Sequence, residues 1–257
     1  MTRSALDERG AWMLPTYIVT PGGLDGPFAS LEGDEGRHAA RAARARTGQL
    51  IRLIDGEGTE AAARVVSADD RVELEIVERR TRSRAEGVEL VVGQALLKGR
   101  DFDSAARRLA ELGTARIVPL LTERVVPRLD PTTTARRVER WRAVTVAATK
   151  QSRGVFVTDV TEPVTLDEFI VRHEADARLV AWEEGGVDLR EALQGVRDPG
   201  TLACIVGPEG GLAAVEVDRL VAAGYVAVGL GDRILRGDWA AAAVATLISH
   251  HVGGLLP

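Results

Sequence analysis

The fold class of this chain is decided by the stretch Ile205-Val206-Gly207-Pro208-Glu209-Gly210-Gly211. It closes an apolar run of strand length at residues 201–206, and helical spacing follows at residues 215–223. The glycines permit a tight turn and let a ligand approach the main chain closely. A buried strand, a glycine-rich loop and a helix indicate an α/β fold with a parallel sheet, in which ligands bind at the carboxyl ends of the strands.

Strands and helices alternate on both sides of this stretch, which predicts one α/β domain over residues 86–257. The nearly continuous apolar run at residues 88–96 is typical of a strand buried on both faces. Thr165-Leu166-Asp167-Glu168 has the spacing of a capping box at the start of a helix. Further strands are predicted at residues 116–121, 155–160, 178–182 and 225–230, and further helices at residues 101–112, 134–152, 189–193 and 239–251.

A second glycine-bearing loop precedes the last helix. Residues 229–238 read Gly-Leu-Gly-Asp-Arg-Ile-Leu-Arg-Gly-Asp. Neither loop has the spacing of a dinucleotide-binding or phosphate-binding motif, and Glu209 would repel a pyrophosphate. A carboxylate beside backbone N–H groups suits a ligand with hydroxyls or positive charge, and S-adenosylmethionine has both in its ribose and its sulfonium. Two ordinary glycine-rich turns are the alternative.

Residues 1–85 show a different pattern, with short strands and one helix. Small all-β domains usually close into a barrel because open sheet edges are costly. We therefore expect a small β-barrel domain, followed by a linker that begins in the arginine-rich residues 79–84. Strands are predicted at residues 16–19, 50–54, 61–66 and 72–77, and a helix with a basic face at residues 33–46.

Composition places the chain among soluble globular proteins. Of its 257 residues, 45% are hydrophobic and 28% are charged, which excludes disorder, collagen and a coiled coil for the whole chain. The longest apolar run, residues 239–248, is too short to span a bilayer, and charge rather than a signal-peptide core follows the first residues. We expect a cytoplasmic protein without membrane contact. Because the only cysteine is Cys204 and the four histidines are scattered, we expect no disulfide and no metal site.

Charge is segregated along the chain. The formal net charge is −5, yet residues 37–52 and 136–153 each carry +5 and residues 79–84 carry +4, which leaves −19 for the remainder. Arginine supplies nearly all of the positive charge, and its planar guanidinium suits phosphates and base edges. Such segregation is typical of a protein with one face towards a polyanion. Solvated helix faces are the alternative for any single window.

The two loops resemble the C-terminal signature of the RsmE family, the small-subunit (16S) ribosomal RNA uridine-N3 methyltransferases of the SPOUT superfamily. The signature comprises residues 205–211, residues 223–231 and Arg233-Ile234-Leu235-Arg236. The resemblance spans most of the chain. Further similarity lies at residues 94–99, 111–113, 117–124, 140–141 and 150–152, and upstream at His38 and residues 48–58.

This resemblance implies S-adenosylmethionine-dependent methylation of N3 of a specific uridine in the ribosomal RNA of the small subunit. It implies a PUA-like RNA-binding β-barrel over residues 1–85 and a SPOUT-type α/β domain over residues 86–257. It also implies a trefoil knot near residues 200–240 and a homodimer. The partners would be ribosomal RNA and the small ribosomal subunit.

Site residues follow from the two loops and from the basic windows. We expect Arg236 and Arg233 to stabilise the charge that develops on the uracil carbonyl oxygens, although a salt bridge to Asp232 or Glu209 is the alternative for Arg233. The resemblance implies cofactor contacts for Trp182, Glu183, Gly207, Pro208, Glu209, Gly210, Gly211, Leu230, Gly231, Ile234 and Leu235. RNA phosphates are expected at Arg37, His38, Arg41, Arg44, Lys98, Arg100, Arg124, Lys150, Gln151 and Arg153.

The chain departs from the family pattern after the second loop. Relatives usually continue Arg-Thr-Glu-Thr-Ala, whereas this chain reads Arg236-Gly237-Asp238-Trp239-Ala240. We expect Asp238 to cap the last helix and Trp239 to crowd the cofactor or the target base. Two alternatives to the methyltransferase therefore stay open: a non-catalytic RNA-binding homologue and a nucleotide-dependent metabolic enzyme.

Overall fold

The computed structural model describes residues 14–42, 45–68, 71–125, 130–196 and 199–256, without the side chains of residues 41, 42 and 131. The chain divides into two compact units, each with its own apolar core. Unit 1 contains the described residues up to Ser83 together with Arg153–Val157. Unit 2 contains Arg84–Ser152 and the residues from Thr158 onward.

Unit 1 is built on a five-stranded sheet. Its strands are β1 (Thr16–Ile18), β2 (Phe28–Leu31), β3 (Leu50–Ile54), β4 (Thr59–Ala68) and β5 (Val72–Thr81). They lie in the order β1-β3-β4-β5-β2, with β1 parallel to β3 and the other neighbours antiparallel. A short helix, α1 (Gly33–Arg37), continues into a π-helical turn (His38–Ala42).

The segment Arg153–Val157 completes unit 1 although it comes much later in the chain. Val157 donates its N–H to the carbonyl oxygen of Gly56 over 2.9 Å. The ring of Phe156 occupies the space that a Cβ on Gly58 would need, at 2.8 Å. Both glycines have positive φ, so the turn between β3 and β4 is shaped to receive this segment.

The strands of unit 1 depart from the prediction in two places. β5 continues to Thr81, so the interpretation of residues 79–84 as linker is wrong for residues 79–81. Arg79 pairs with Ala61 in the antiparallel ladder, which tolerates solvated side chains on its outer face. β2 escaped prediction because four residues at a sheet edge give little periodic signal.

Unit 2 alternates strands with helices along the chain. Its strands are β6 (Glu89–Ala95), β7 (Arg116–Leu121), β8 (Asp159–Val160), β9 (Val164–Thr165), β10 (Ala177–Ala181), β11 (Val187–Asp188), β12 (Thr201–Val206) and β13 (Val226–Gly229). Its helices are α2 (Asp101–Glu111), α3 (Pro131–Ser152), α4 (Leu166–Arg172), α5 (Leu189–Leu193), α6 (Ala214–Ala222) and α7 (Gly237–Val252).

The unit 2 sheet is parallel and is covered on both faces. Its order is β11-β13-β10-β12-β6-β7-β8, with β9 paired to β7. Alternate side chains of β12 enter opposite layers: Cys204 packs with α2, α3 and α7, whereas Ile205 packs with α4 and α6. The predicted α/β fold with a parallel sheet is confirmed.

The strand order places a crevice where the chain changes direction. From β6 the chain proceeds to β7 on one side of the sheet, and it later returns to β12 on the other side of β6. Ligands bind at such switch points, outside the carboxyl ends of the strands. The glycine-rich residues 207–211 follow β12 at this position.

Two local predictions in unit 2 had different outcomes. The capping box is confirmed: Thr165 N–H donates to Glu168 over 2.9 Å, and Glu168 N–H donates back to the Thr165 hydroxyl over 3.3 Å. The strand predicted at residues 155–160 is wrong for residues 155–157, because those residues join unit 1 and only Asp159–Val160 form β8. Within the described ranges, no helix combines the length and apolar character needed to cross a bilayer.

Candidate cofactor cleft and active site

A cleft of about 250 Å³ lies at the carboxyl ends of β10, β12 and β13. The loops that follow these three strands form its walls. Ten of the eleven residues expected to contact a cofactor line this cleft, and Gly210 does not. Sequence reasoning missed Asp232 and Gly237, which also line it. Asp232 belongs to the second loop, and its sequence context indicates only a candidate partner for Arg233.

The first loop is a tight turn that depends on its glycines. Gly211 N–H donates to the carbonyl oxygen of Pro208 over 2.9 Å, and Gly211 has a φ of 69°. A Cβ on Gly207 would stand 3.1 Å from the backbone nitrogen of Leu212. The carboxylate of Glu183 approaches Gly211 so closely that a Cβ there would overlap it. The bare backbone of the first loop and the carboxylate of Glu183, which follows β10, therefore lie at the same wall of the cleft.

Four hydrogen bonds fix the first loop and the start of α6, and three of them reach the residues that follow β6 and β7. Glu209 accepts from the backbone N–H of Lys98, after β6, over 2.8 Å. Arg124, after β7, donates to the carbonyl oxygen of Gly210 over 2.9 Å. The buried carboxylate of Glu216 accepts from the N–H groups of Ala213 and Glu123, both over 2.9 Å. Nothing in the sequence motif identified Glu216, because its partner on the β7 loop is distant in the chain.

The cleft is more acidic than basic. Its lining includes Glu183, Glu209 and Asp232 against a single arginine, Arg233. Carboxylates accept hydrogen bonds from hydroxyls and attract positive charge. This arrangement suits a ligand that carries a ribose and a sulfonium, and it disfavours a polyphosphate.

The two candidate arginines have different surroundings. Arg233 lines the cleft, and within the described part of the chain it forms no ion pair with Asp232 or Glu209. Arg236 lies outside the cleft lining and donates to Asp101, on α2, over 2.7 Å. This hydrogen bond, with the charges of Asp101 and Asp238, raises the pKa of Arg236 above its ordinary value.

Known proteins resemble this chain over most of its length. A family model described as an RNA methyltransferase domain matches residues 84–249, and one described as an RNA methyltransferase PUA domain matches residues 31–77. A protein of Mycobacterium bovis named ribosomal RNA small subunit methyltransferase E is 34% identical over 225 residues, which is 84% of each chain. The chain belongs to the ribosomal RNA small subunit methyltransferase E family.

Other members of this family support the same assignment. The Bacillus subtilis (strain 168) protein of that name is 29% identical over 233 residues, which cover 88% of this chain and 91% of that one. A crystal structure of the Neisseria gonorrhoeae member, bound to S-adenosyl methionine, covers 93% of this chain and 98% of that chain. It is 25% identical with a TM-score of 0.83. The resemblance inferred from the two loops is confirmed.

The departure from the family pattern after Arg236 has a structural explanation. Asp238 does not cap α7 as expected: Arg236 is the N-cap residue, and Asp238 lies in the first turn. It pairs there with Arg108 on α2. Trp239 does not line the cleft, and its ring packs against the guanidinium of Arg108 at 4.3 Å. The expected crowding of the cofactor by Trp239 is therefore wrong within this cleft.

Gly237 is held against the core of unit 2. A Cβ on Gly237 would stand 2.8 Å from Cδ2 of Leu97, which is buried. It would also stand 3.4 Å from the carbonyl oxygen of Gly207 in the first loop. The glycine thus lets the start of α7 approach both Leu97 and the cleft.

The basic residues expected to contact RNA fall into both units. Lys98, Arg100 and Arg124 are exposed, and hydrogen bonds join Lys98 and Arg124 to the first loop. Lys150 and Gln151 lie in the last turn of α3. Arg153 belongs to unit 1, as do the exposed Arg37 and His38. Arg37 pairs with Asp34 in the same helix. The Arg41 side chain and all of Arg44 lie outside the described residues.

The buried thiol of Cys204 takes no part in this site. Its side chain has no exposed surface, and burial raises its pKa to about 12. Cysteine reacts as the thiolate, so this thiol is inert at neutral pH. No cluster of three or more metal-ligating side chains occurs within the described ranges.

Proposed function

We propose that this protein transfers the methyl group of S-adenosylmethionine to N3 of a specific uridine in small-subunit ribosomal RNA. The observation that carries this proposal is the acidic, glycine-walled cleft in a chain that belongs to an RNA methyltransferase family. When bound, S-adenosylmethionine supplies an electrophilic methyl group on a sulfonium. The cleft residues bind and orient this cofactor.

The residues of the cleft fit that cofactor chemically. Gly207, Gly211 and Gly231 line the cleft with backbone that carries no side chain, and φ is positive at the latter two. The carboxylates of Glu183 and Asp232 would accept hydrogen bonds from ribose hydroxyls or attract the positive charge. Apolar surface for the adenine would come from four lining residues, Trp182, Leu230, Ile234 and Leu235.

The arginines at the end of the second loop would stabilise the negative charge that develops on the target base. N3 of uracil must lose a proton before it attacks the methyl group, and the resulting charge spreads onto the two carbonyl oxygens of the base. A cation fixed in advance lowers the free energy of such a transition state. Arg236, held by Asp101, meets this requirement better than Arg233, which forms no ion pair among the described residues.

Unit 1 would bind RNA as a PUA-like domain. We propose that its five-stranded sheet is the expected barrel, and that the basic residues of both units hold ribosomal RNA phosphates. The division of the chain near residues 83–85 supports separate RNA-binding and catalytic domains. A substrate in the small ribosomal subunit would place the protein in the cytoplasm.

The knot and the homodimer are also proposals. Strand β12 lies between β6 and β10, and β13 then lies beyond β10, which supports a trefoil knot near residues 200–240. Exposed apolar side chains support a homodimer: Ile234 is 86% exposed, Trp239 56% and Leu247 49%. Apolar surface of this kind marks protein interfaces.

Methyl transfer from radiolabelled S-adenosylmethionine to small subunits from a methylation-deficient strain tests this function. We expect label in ribosomal RNA and N3-methyluridine by mass spectrometry. Absence of both label and cofactor binding by calorimetry would overturn the proposal. RNA binding without transfer would favour the non-catalytic homologue, and family membership argues against the metabolic enzyme.

A further inference from the structure

Four side chains of alternating charge link the start of α7 to α2, and we call them the acid–arginine ladder. Asp101 lies 2.7 Å from Arg236, measured between Oδ2 and Nη2. Arg236 lies 3.7 Å from Asp238, measured between Nε and Oδ1. Asp238 pairs through Oδ2 with Nη1 of Arg108. Two residues of α2 thus hold two residues that end the second loop.

Asp238 is the buried member of this ladder. Its side chain is 7% exposed, whereas that of Arg236 is 69% exposed. A buried carboxylate needs a charged partner, and Arg108 supplies one. Arg108 also donates to the carbonyl oxygen of Asp238 over 3.3 Å. The positive end of the α7 dipole favours a carboxylate in this first turn.

The second carboxylate oxygen of Asp238 is left for Arg236. Oδ1 is buried and accepts no hydrogen bond among the described residues. It faces Nε of Arg236 across 3.7 Å, so its interaction with that guanidinium is electrostatic.

The two carboxylates orient the Arg236 guanidinium. Asp101 accepts a hydrogen bond from Nη2, and Asp238 faces Nε. A guanidinium is planar with donors in fixed directions, so the hydrogen bond at Nη2, together with the attraction of Asp238 near Nε, restricts its orientation. Nη1 keeps both of its protons without an acceptor among the described residues. This edge remains available to a carbonyl oxygen of the target base.

We propose that Asp238, held by Arg108, is a positioning residue that orients Arg236 for methyl transfer. The inference rests on the proposed function, in which Arg236 stabilises charge on the base. Asp238 acts through Arg236 and contacts neither cofactor nor base. Trp239, packed over Arg108, supports the far end of the ladder.

Asp238→Asn removes the charge and keeps the shape. We expect its kcat, measured in single-turnover methyl transfer at saturating cofactor, to fall by about tenfold to a hundredfold, the range for a small misplacement of a catalytic group. The dissociation constant for S-adenosylmethionine should stay unchanged, and Asp238→Glu should recover part of the rate. Asp167→Asn is the matched control, because it removes an exposed ion pair with Arg219 elsewhere in unit 2.

The decisive measurement repeats Asp238→Asn in an Arg236→Ala background. Residues that act through one another are non-additive, so we expect no further loss of rate there. The same fold-loss in both backgrounds would overturn the positioning role and leave the proposed function standing. A wild-type rate in Arg236→Ala alone would overturn this inference together with the catalytic role of Arg236.

A second variant covers the case in which Asp238→Asn does not fold. Arg108→Lys keeps the charge that the buried carboxylate needs but lacks the planar fork. We expect it to lower kcat in the wild-type background and to have no effect in the Arg236→Ala background. A loss of thermal stability without a change in kcat would show that the pair is structural only, and would overturn the inference.

Discussion

Nη2 of Arg236 donates to Oδ2 of Asp101 over 2.7 Å, which fastens the end of the second loop to the first residue of α2. Arg233 has no such anchor among the described residues. A preorganised cation contributes more to transition-state stabilisation than one that must become ordered during the reaction. Arg236→Ala should therefore lower kcat by about 10²- to 10³-fold, and Arg233→Ala by clearly less.

A measurement of cofactor affinity distinguishes a loss of charge stabilisation in Arg236→Ala from damage to the cleft. Calorimetry should give the same S-adenosylmethionine dissociation constant for Arg236→Ala as for the wild type, because Arg236 does not line the cleft. If Arg233→Ala is the more damaging of the two for kcat, the assignment of Arg236 is wrong.

Gly207→Ala tests the close approach of backbone in the first loop. The new Cβ would stand 3.1 Å from the nitrogen of Leu212 and 3.2 Å from the carbonyl carbon of Gly211, so the loop must shift. We expect the S-adenosylmethionine dissociation constant to rise by about tenfold, equivalent to about 1.4 kcal/mol. Gly195→Ala is the control, since a Cβ there meets open space. Equal affinities of the two variants would contradict this account of the loop.

Gly237→Thr restores the family residue but should not be neutral in this chain. Its Cβ would meet Leu97 at 2.8 Å, and overpacking of a core typically costs about 1–3 kcal/mol. Denaturant unfolding should show this loss. Combined with Leu97→Ala, which opens space, the loss should be smaller than the sum of the two single losses. Strict additivity would show that the two side chains do not compete for space.

His173 gives unit 2 a predicted sensitivity to acid. Burial, and then the charges of Arg116 and Arg172, lower its pKa below the ordinary value of 6.5. His173 therefore binds a proton more readily in the unfolded chain than in the folded chain. The free energy of unfolding that is present above pH 6.5 is consequently reduced as the pH falls through the folded pKa of His173. His173→Gln should flatten this loss when urea unfolding is compared at neutral and mildly acidic pH. An unchanged pH dependence would exclude His173 as its source.

Local patterns carried most of the fold prediction. The capping-box spacing located the start of α4, and the apolar run before Gly207 located β12. Both signals arise from neighbours in the chain, which is why composition and periodicity suffice to find them. The glycine-rich motifs likewise pointed to residues that the fold gathers around one cleft.

Local sequence patterns could not predict pairings between residues that are distant in the chain. Nothing local distinguishes Arg108 from the adjacent Arg107, and its ion pair with Asp238 depends on the packing of α7 against α2. The same holds for Glu216 and the β7 loop. Residues 155–157 were apolar enough to predict a strand, yet a distant turn receives them instead. In each case the partner is set by topology.

Because Arg153–Val157 belong to unit 1, this unit depends on a late part of the chain during synthesis and in any truncation. The buried pair of Arg52 and Glu60 is joined by the carbonyl oxygen of Arg153, which accepts from Arg52 over 3.1 Å. A nascent chain that has emerged only to Ser83 lacks this last segment, although domains commonly fold in order of synthesis. Unit 1 is thus finished only after α3 has been translated, and a truncation after Ser83 would yield an incomplete fragment.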